Sequence, residues 1–259
     1  MSEHNTMKMT FDKNLFTQVG LDSGSLTMLG GVTHRFLEPG QYRGVVYQGK
    51  EILGGFYISV DKDSAAAQAN IDLAAFEGSS ATPATSSGNS GCGCQPGGTH
   101  APAKFELNPK GYAVFHVSAG PGGYAVRVGK AVEDPKEQNQ FDSRELKGDD
   151  IFSAFILRPG TYSVMNVLGK GKGEVTVSYP KIGKTPYRPP SPVEVEFSDR
   201  GCEPGKVELQ PGQAVLFRCK VPSRIKLELL KADDGPNPGA QRSRHGWMRG
   251  PLPDNKSKS

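Results

Sequence analysis

One short phrase recurs along this chain and constrains its fold more than any other feature. It reads Phe36-Leu37-Glu38-Pro39-Gly40-Gln41-Tyr42 and returns as Phe105-Glu106-Leu107-Asn108-Pro109-Lys110-Gly111-Tyr112, with one residue between Pro and Gly. It returns again as Ile156-Leu157-Arg158-Pro159-Gly160-Thr161-Tyr162, and as Val207-Glu208-Leu209-Gln210-Pro211-Gly212-Gln213-Ala214, which lacks the tyrosine. The leucines lie 70, 50 and 52 residues apart. Proline presets the first central position of a tight turn, and glycine accepts the positive φ that a type II turn needs next. The phrase therefore predicts strand, turn, strand, repeated by internal duplication.

The flanking residues support strands. Tyr112, Val114, Val126 and Val128 alternate with polar or small residues, as do Tyr162, Val164, Val175 and Val177, and Val215, Phe217, Ile225, Leu227 and Leu229. Period-two alternation marks a half-buried strand. Second turns are expected at Gly120–Gly123, Gly169–Gly173 and Val221–Ser223, giving units of about three short strands. Leu37, Leu107, Leu157 and Leu209 are expected to point inward, with Tyr42, Tyr112 and Tyr162 in equivalent places. The 33 Gly and 20 Pro of the 259 residues argue against a helical bundle. The fold class is all-β: one or two antiparallel β-sandwiches, Ig-like or cupredoxin-like, built from repeated strand–Pro-Gly turn–strand units.

Composition divides the chain. Residues 1–77 read as an N-terminal β unit. Within it, Asp63–Glu77 fits either a capped helix or a strand, and the alternation of Ala69, Ile71 and Leu73 favours the strand. Residues 78–104 form a Gly/Ser-rich linker with few bulky apolar side chains to offset its ordering entropy. Residues 105–180 carry central β-sandwich units, split by a charged loop at Glu133–Asp150. Residues 181–192 are a Pro-rich connection, 193–231 a further β unit, and 232–259 a basic Pro/Gly-rich tail expected to be disordered.

Bulk charge narrows the partners little. With 31 basic and 27 acidic residues the net charge is +4, too mild to imply nucleic-acid binding by the whole chain. No apolar run is long enough for a transmembrane helix, and the N-terminus lacks a basic region followed by an apolar one. A cytoplasmic location is expected, with export by a non-signal route left open.

Chemistry-bearing residues are sparse. Cys92 and Cys94, one residue apart, form with His100 a candidate thiolate site for zinc or another soft metal, or else reactive thiols in a linker. Cys202 and Cys219 flank the fourth turn. As a hairpin it places Cys219 opposite Pro204 and Cys202 opposite Val221, so buried free thiols are favoured over a disulfide. His116 reads as a strand residue with a satisfied partner, and His34 is unassigned. The doublet Asp149-Asp150 reads as a solvated turn. No Gly-x-Ser-x-Gly, His-Glu-x-x-His or Walker A motif is present, and no catalytic residue is assigned. In the tail, Arg242, Arg244, His245, Trp247 and Arg249 interleave cations with the only tryptophan. That pattern fits docking on a protein partner, contact with a polyanion, or a solubilising tail.

Gly201-Cys202-Glu203-Pro204 and Pro211-Gly212-Gln213-Ala214-Val215-Leu216-Phe217 resemble the opening half of a cupredoxin. The resemblance implies a β-sandwich but no copper. Arg224 stands about where the first copper histidine is expected, and no Cys-His-Met loop follows. The wider phrase also resembles prealbumin-like and pre-peptidase C-terminal β-sandwich modules, which implies accessory, adhesive or assembly roles without transferring one.

The expected function is a non-catalytic structural or protein-interaction protein, with a protein partner or self-association and no cofactor. The alternatives are a metal-binding or redox protein using Cys92 and Cys94, and an enzyme or carbohydrate-binding module using exposed aromatics on one sheet, with Tyr47, Phe56, Tyr57, Tyr124 and Tyr187 as candidates that the strand register does not place on one face.

Overall fold

The computed structural model describes residues 19–76, 102–131, 139–180 and 186–233. Seventeen strands account for nearly all of its regular structure. They are β1 (Gly20–Asp22), β2 (Gly30–Arg35), β3 (Gly40–Gln48), β4 (Glu51–Val60), β5 (Gln68–Asp72), β6 (Ala103–Leu107), β7 (Tyr112–His116) and β8 (Tyr124–Lys130). They continue as β9 (Asn139–Asp142), β10 (Asp150–Phe155), β11 (Gly160–Asn166), β12 (Lys172–Val177), β13 (Val193–Ser198), β14 (Gly201–Glu203), β15 (Lys206–Leu209), β16 (Ala214–Cys219) and β17 (Ile225–Ala232). The all-β expectation holds, and Asp63–Glu77 contains the strand β5 followed by a 3-10 turn at Leu73–Phe76. No helix among the described residues is long and apolar enough to cross a membrane.

Three sheets form. The large one has seven strands in the order β14-β13-β16-β10-β2-β7-β5. The smaller ones have five each, β1-β17-β11-β12-β15 and β6-β4-β3-β8-β9. All three are mixed rather than purely antiparallel, because β4–β6, β5–β7, β12–β15 and β13–β16 pair in parallel. Residue 77 is therefore no layer boundary, since β4 and β5 pair with strands beyond it.

A correspondence longer than the recurring phrase runs through the chain. Residues 21–42 align with 141–162, at a constant offset of 120, and Asp-Ser-x-x-Leu, Leu-x-Pro-Gly and Tyr all coincide. Residues 105–115 align with 207–217. The repeat is thus one eight-strand unit present twice, as β1–β8 and as β9–β13 with β15–β17, while β14 is extra.

The hairpin expectation fails for all four phrases, for a geometric reason. All four phrases cross between sheets: β2 to β3, β6 to β7, β10 to β11 and β15 to β16 each join the seven-stranded sheet to a five-stranded one. At Asn108–Gly111 and Gln210–Gln213 the crossing is a tight turn. Gly111 N–H donates to Asn108 O at 2.9 Å and Gln213 N–H to Gln210 O at 3.0 Å. Lys110 (φ 75°) and Gly212 (φ 77°) hold the same position in these turns, so Lys110 is that turn residue and not an insertion. At Pro39-Gly40 and Pro159-Gly160 the glycines have φ of 150° and 149° and open the next strand instead.

That difference redirects side chains. Leu107 and Leu209 are buried, but Phe36 and Ile156 take the inward place in the other two copies, and Leu37 is 63% exposed. Tyr42 and Tyr162 are buried equivalents, each donating its hydroxyl to the carbonyl four residues upstream, Glu38 and Arg158, at 2.8 Å. This tyrosine-to-backbone bond pins the corner where the chain changes sheet. Tyr112 has no such role and is 40% exposed.

The two repeats meet through β2 and β10, antiparallel, with Val32 opposite Phe152. These two residues are also equivalents in the alignment, so a local pseudo-two-fold axis passes between them. Such an axis stands perpendicular to the sheet and puts both smaller sheets on one face of the large one. Contacts agree: Phe115 of the large sheet stacks on Phe141 of β9 at 5.3 Å, and Phe197 lies against Gly171 in the β11–β12 loop. Alternation then leaves Val32, Phe115, Phe152, Val195 and Phe217 in the core.

The first strand of each repeat is exchanged. β1 pairs with β17 of the second repeat, and β9 pairs with β8 of the first. Ser23 and Ser143 seal the exchange by the same pair of bonds. Ser23 N–H donates to Ile225 O at 2.9 Å and its Oγ accepts from Ile225 N–H at 3.1 Å. Ser143 N–H donates to Val126 O and its Oγ accepts from Val126 N–H, both at 3.0 Å. Both serines are fully buried.

Candidate functional site: the open face of the seven-stranded sheet

The inner face of the large sheet is core, and its outer face has no layer over it among the described residues. Register and alternation order the outer side chains into rows. One row runs Glu196, Arg218, Ile151, Thr33, Val114, Asn70 across β13, β16, β10, β2, β7 and β5. The next runs Glu194, Leu216, Ser153, then Gly31, with His116 and Asp72 at the far side. Ile151, Leu216, Val114 and Thr33 are half-buried by their neighbours alone. The middle of the face is thus apolar and small, and it straddles the pseudo-two-fold axis.

Charge is confined to the margins. On one side Arg218 approaches Asp149 at 3.9 Å and Glu194 at 4.0 Å, and Lys220 pairs with Asp149. On the other side the Asp72 carboxylate accepts from the Ser118 hydroxyl, the Ser118 N–H and the Ala74 N–H. Burial pushes the Asp72 pKa up, but these hydrogen bonds outweigh it and hold the carboxyl below its usual range. Arg35 lies over the Tyr112 ring at 5.4 Å. The five-stranded sheet around β11 contrasts with this: its outward residues are Thr161, Ser163, Met165, Lys172, Glu174, Thr176, Lys226 and Glu228, polar or charged but for the methionine. An apolar centre with a polar rim is the anatomy of a protein-binding face.

The titratable core residues read differently. Asp150 is 3% exposed, so the Asp149-Asp150 doublet is a solvated turn only at Asp149. His34 Nδ1–H donates to Asp150 Oδ1 at 2.6 Å, and Lys147 N–H donates to Asp150 Oδ2 at 2.9 Å. His34 Nε2 is buried without a partner, its ring held 4.8 Å from both Phe36 and Phe141. A relay needs a nucleophile or substrate path at that nitrogen, and aromatic rings surround it here.

The other expected residues are placed as follows. Cys202 and Cys219 both stand opposite Phe197, on either side of β13, so two strand spacings of about 4.8 Å each separate them, beyond disulfide reach. The hairpin pairing with Pro204 and Val221 does not form, since β15 and β16 lie in different sheets. Both thiols are free, and burial pushes Cys202 up to about 11 and Cys219 up to about 12, leaving neither as a thiolate near neutrality. His116 lies beside Asp72. Arg224, at the expected copper-ligand position, makes a bidentate pair with Asp22 at 2.9 and 2.8 Å. Among the aromatics proposed for a sugar strip, Phe56 and Tyr124 are fully buried in the core, so the five do not share a face. Cys92, Cys94, His100, Arg242, Arg244, His245, Trp247 and Arg249 lie outside the described residues. Among the described residues no cluster of His, Cys, Asp and Glu could hold a metal ion.

Comparison with protein families, characterised proteins and solved structures finds no match to this chain.

Proposed function

We propose that the protein is a non-catalytic interaction module that docks a protein partner on the outer face of its seven-stranded sheet. The observation that carries this reading is the apolar centre formed by Ile151, Leu216, Val114 and Thr33, bounded by charged margins. Edge pairing is the weaker route to a partner. The six outermost strands, β1, β15, β14, β5, β6 and β9, have three to five residues each. Such short edges offer little ladder to an added strand, which leaves the faces.

Size exclusion of an extract from the native source tests this. The wild-type chain is expected in a complex larger than the monomer, and Ile151→Asp with Leu216→Asp is expected to release it while leaving far-UV circular dichroism unchanged. A wild-type chain that elutes as a monomer, or a variant retained in the complex, overturns the proposal.

A further inference from the structure

A second surface feature lies away from that face, where the two exchanged segments cross between the five-stranded sheets. The segment after β1 leaves β17 at Asp22 and reaches Tyr124 at the start of β8 through Leu26. The segment after β9 leaves β8 at Asp142 and reaches Ser223, before β17, through Leu146. Between them a cleft of about 400 Å³ is lined by Gly24, Ser25, Tyr47, Gly49, Lys50, Gly123, Arg144 and Arg224. This volume is in the range of small-ligand sites.

Three of the lining side chains are cations and none is a carboxylate. The nearby Asp22 is committed: its Oδ1 accepts from Gly24 N–H and Arg224 Nε, and its Oδ2 from Arg224 Nη2. That pair neutralises and fixes Arg224, so Lys50 and Arg144 give the cleft its net charge. Arg144 is held in advance, lying 4.8 Å over the Tyr47 ring and donating Nη2–H to Gly49 O at 3.3 Å. A guanidinium has five N–H donors, and a rigidly held one loses little freedom on meeting an anion. A Cβ at Gly49 or Gly123 would touch nothing, so the backbone leaves the space open.

The scaffold does not require these side chains. In the other repeat the positions of Arg144, Arg224 and Tyr47 are held by Gly24, Ala125 and Val167. Lys50 has Lys170 at the same offset, so the two guanidiniums and the tyrosine ring, not the lysine, are additions to one side of a symmetric frame.

We propose that this cleft binds a small phosphate-bearing anion, with Arg144 and Lys50 as its ligands and Arg224 as a fixed wall. Calorimetric titration of the full chain with pyrophosphate, inorganic phosphate and citrate tests it. Pyrophosphate is expected to saturate with a Kd at or below about 1 mM, more tightly than citrate, and to weaken with added salt. Arg144→Gln and Lys50→Gln are each expected to weaken it about tenfold, while Lys206→Gln, on the exposed edge strand β15, leaves it unchanged. Melting temperatures of the variants separate lost binding from lost folding. Absence of saturable binding, equal or tighter binding of citrate, or unaltered affinity in both well-folded cleft variants overturns the proposal.

Discussion

The two repeats are built to one plan and filled differently. In the first, β3 carries Gly44 opposite Phe56 of β4, and in the second β11 carries Val164 opposite Gly173 of β12. The large member of this cross-strand pair has changed strands, and the space between the sheets is filled either way. A second difference is electrostatic. Asp150 and His34 have Gly30 and Ala154 as their equivalents, so the buried pair sits at one end of the β2–β10 contact and has no counterpart at the other. Backbone path, exchange of first strands, corner tyrosines and sealing serines are shared. They belong to the frame. The buried His–Asp pair and the cationic cleft occur once, and are what distinguishes one half from the other.

The largest expected effect comes from the axis itself. Phe152→Ala should cost about 3–5 kcal/mol in denaturant unfolding, more than Val32→Ala at the equivalent place, because the ring leaves the larger cavity. A loss shared equally by the two would contradict their unequal filling of the same position.

Gly44→Ala comes next. Its Cβ would lie 2.0 Å from Phe56 Cζ, with the ring enclosed by the core, so about 2–3 kcal/mol is expected. Gly173→Ala meets Cys202 Sγ at 2.9 Å and Gly205 O at 3.1 Å, and should cost less. Similar losses in chemical unfolding would mean that the second repeat is filled as tightly as the first. His34→Ala leaves the Asp150 carboxylate buried with only a backbone donor, for about 2–3 kcal/mol. Adding Asp150→Ala to it should recover part of that loss, since the second change removes the stranded charge.

The sealing serines test what the halves share. Ser23→Ala and Ser143→Ala each strand one buried N–H and should cost about 1–2 kcal/mol apiece, equal within about 0.5 kcal/mol. The smallest effect is one of pH. The Asp72 pKa is depressed in the folded chain, so its contribution is present above the ordinary carboxyl value of 3.8 and fades as pH falls through the lower folded value. Thermal melts below pH 4 should fall less steeply for Asp72→Asn than for wild type, by a small margin because the group is only half-buried and solvent screens it.

Much of the frame is legible in the residues. Alternation at Ala69 and Ile71 identifies β5, and Pro211-Gly212 marks a real turn. Alternation says that one face is buried, not whether the next strand lies beside the first or across the core from it, so sheet crossings look like hairpins. Leu37 and Tyr112 point outward because the four phrases take two geometries, a tight turn at Asn108–Gly111 and Gln210–Gln213 and a strand-opening glycine at Gly40 and Gly160, which the shared phrase does not distinguish. The larger repeat had its own signal in Asp22-Ser23-Gly24-Ser25-Leu26 against Asp142-Ser143-Arg144-Glu145-Leu146, before each Leu-x-Pro-Gly phrase. The exchange had none, because equivalent strands can dock on either of two equivalent neighbours. The His34–Asp150 pair joins positions 116 apart, and the cleft is assembled from five segments, so neither leaves a local pattern.

The exchange of first strands is the feature on which the symmetric frame and the junction cleft both depend. Isotope-edited NMR on deuterated protein reads it directly through nuclear Overhauser contacts between backbone amides. Strand exchange predicts contacts of Ser23 with the Ile225 region and of Ser143 with the Val126 region. Contacts of Ser23 with Val126 and of Ser143 with Ile225 would mean that each repeat keeps its own first strand, and would contradict it.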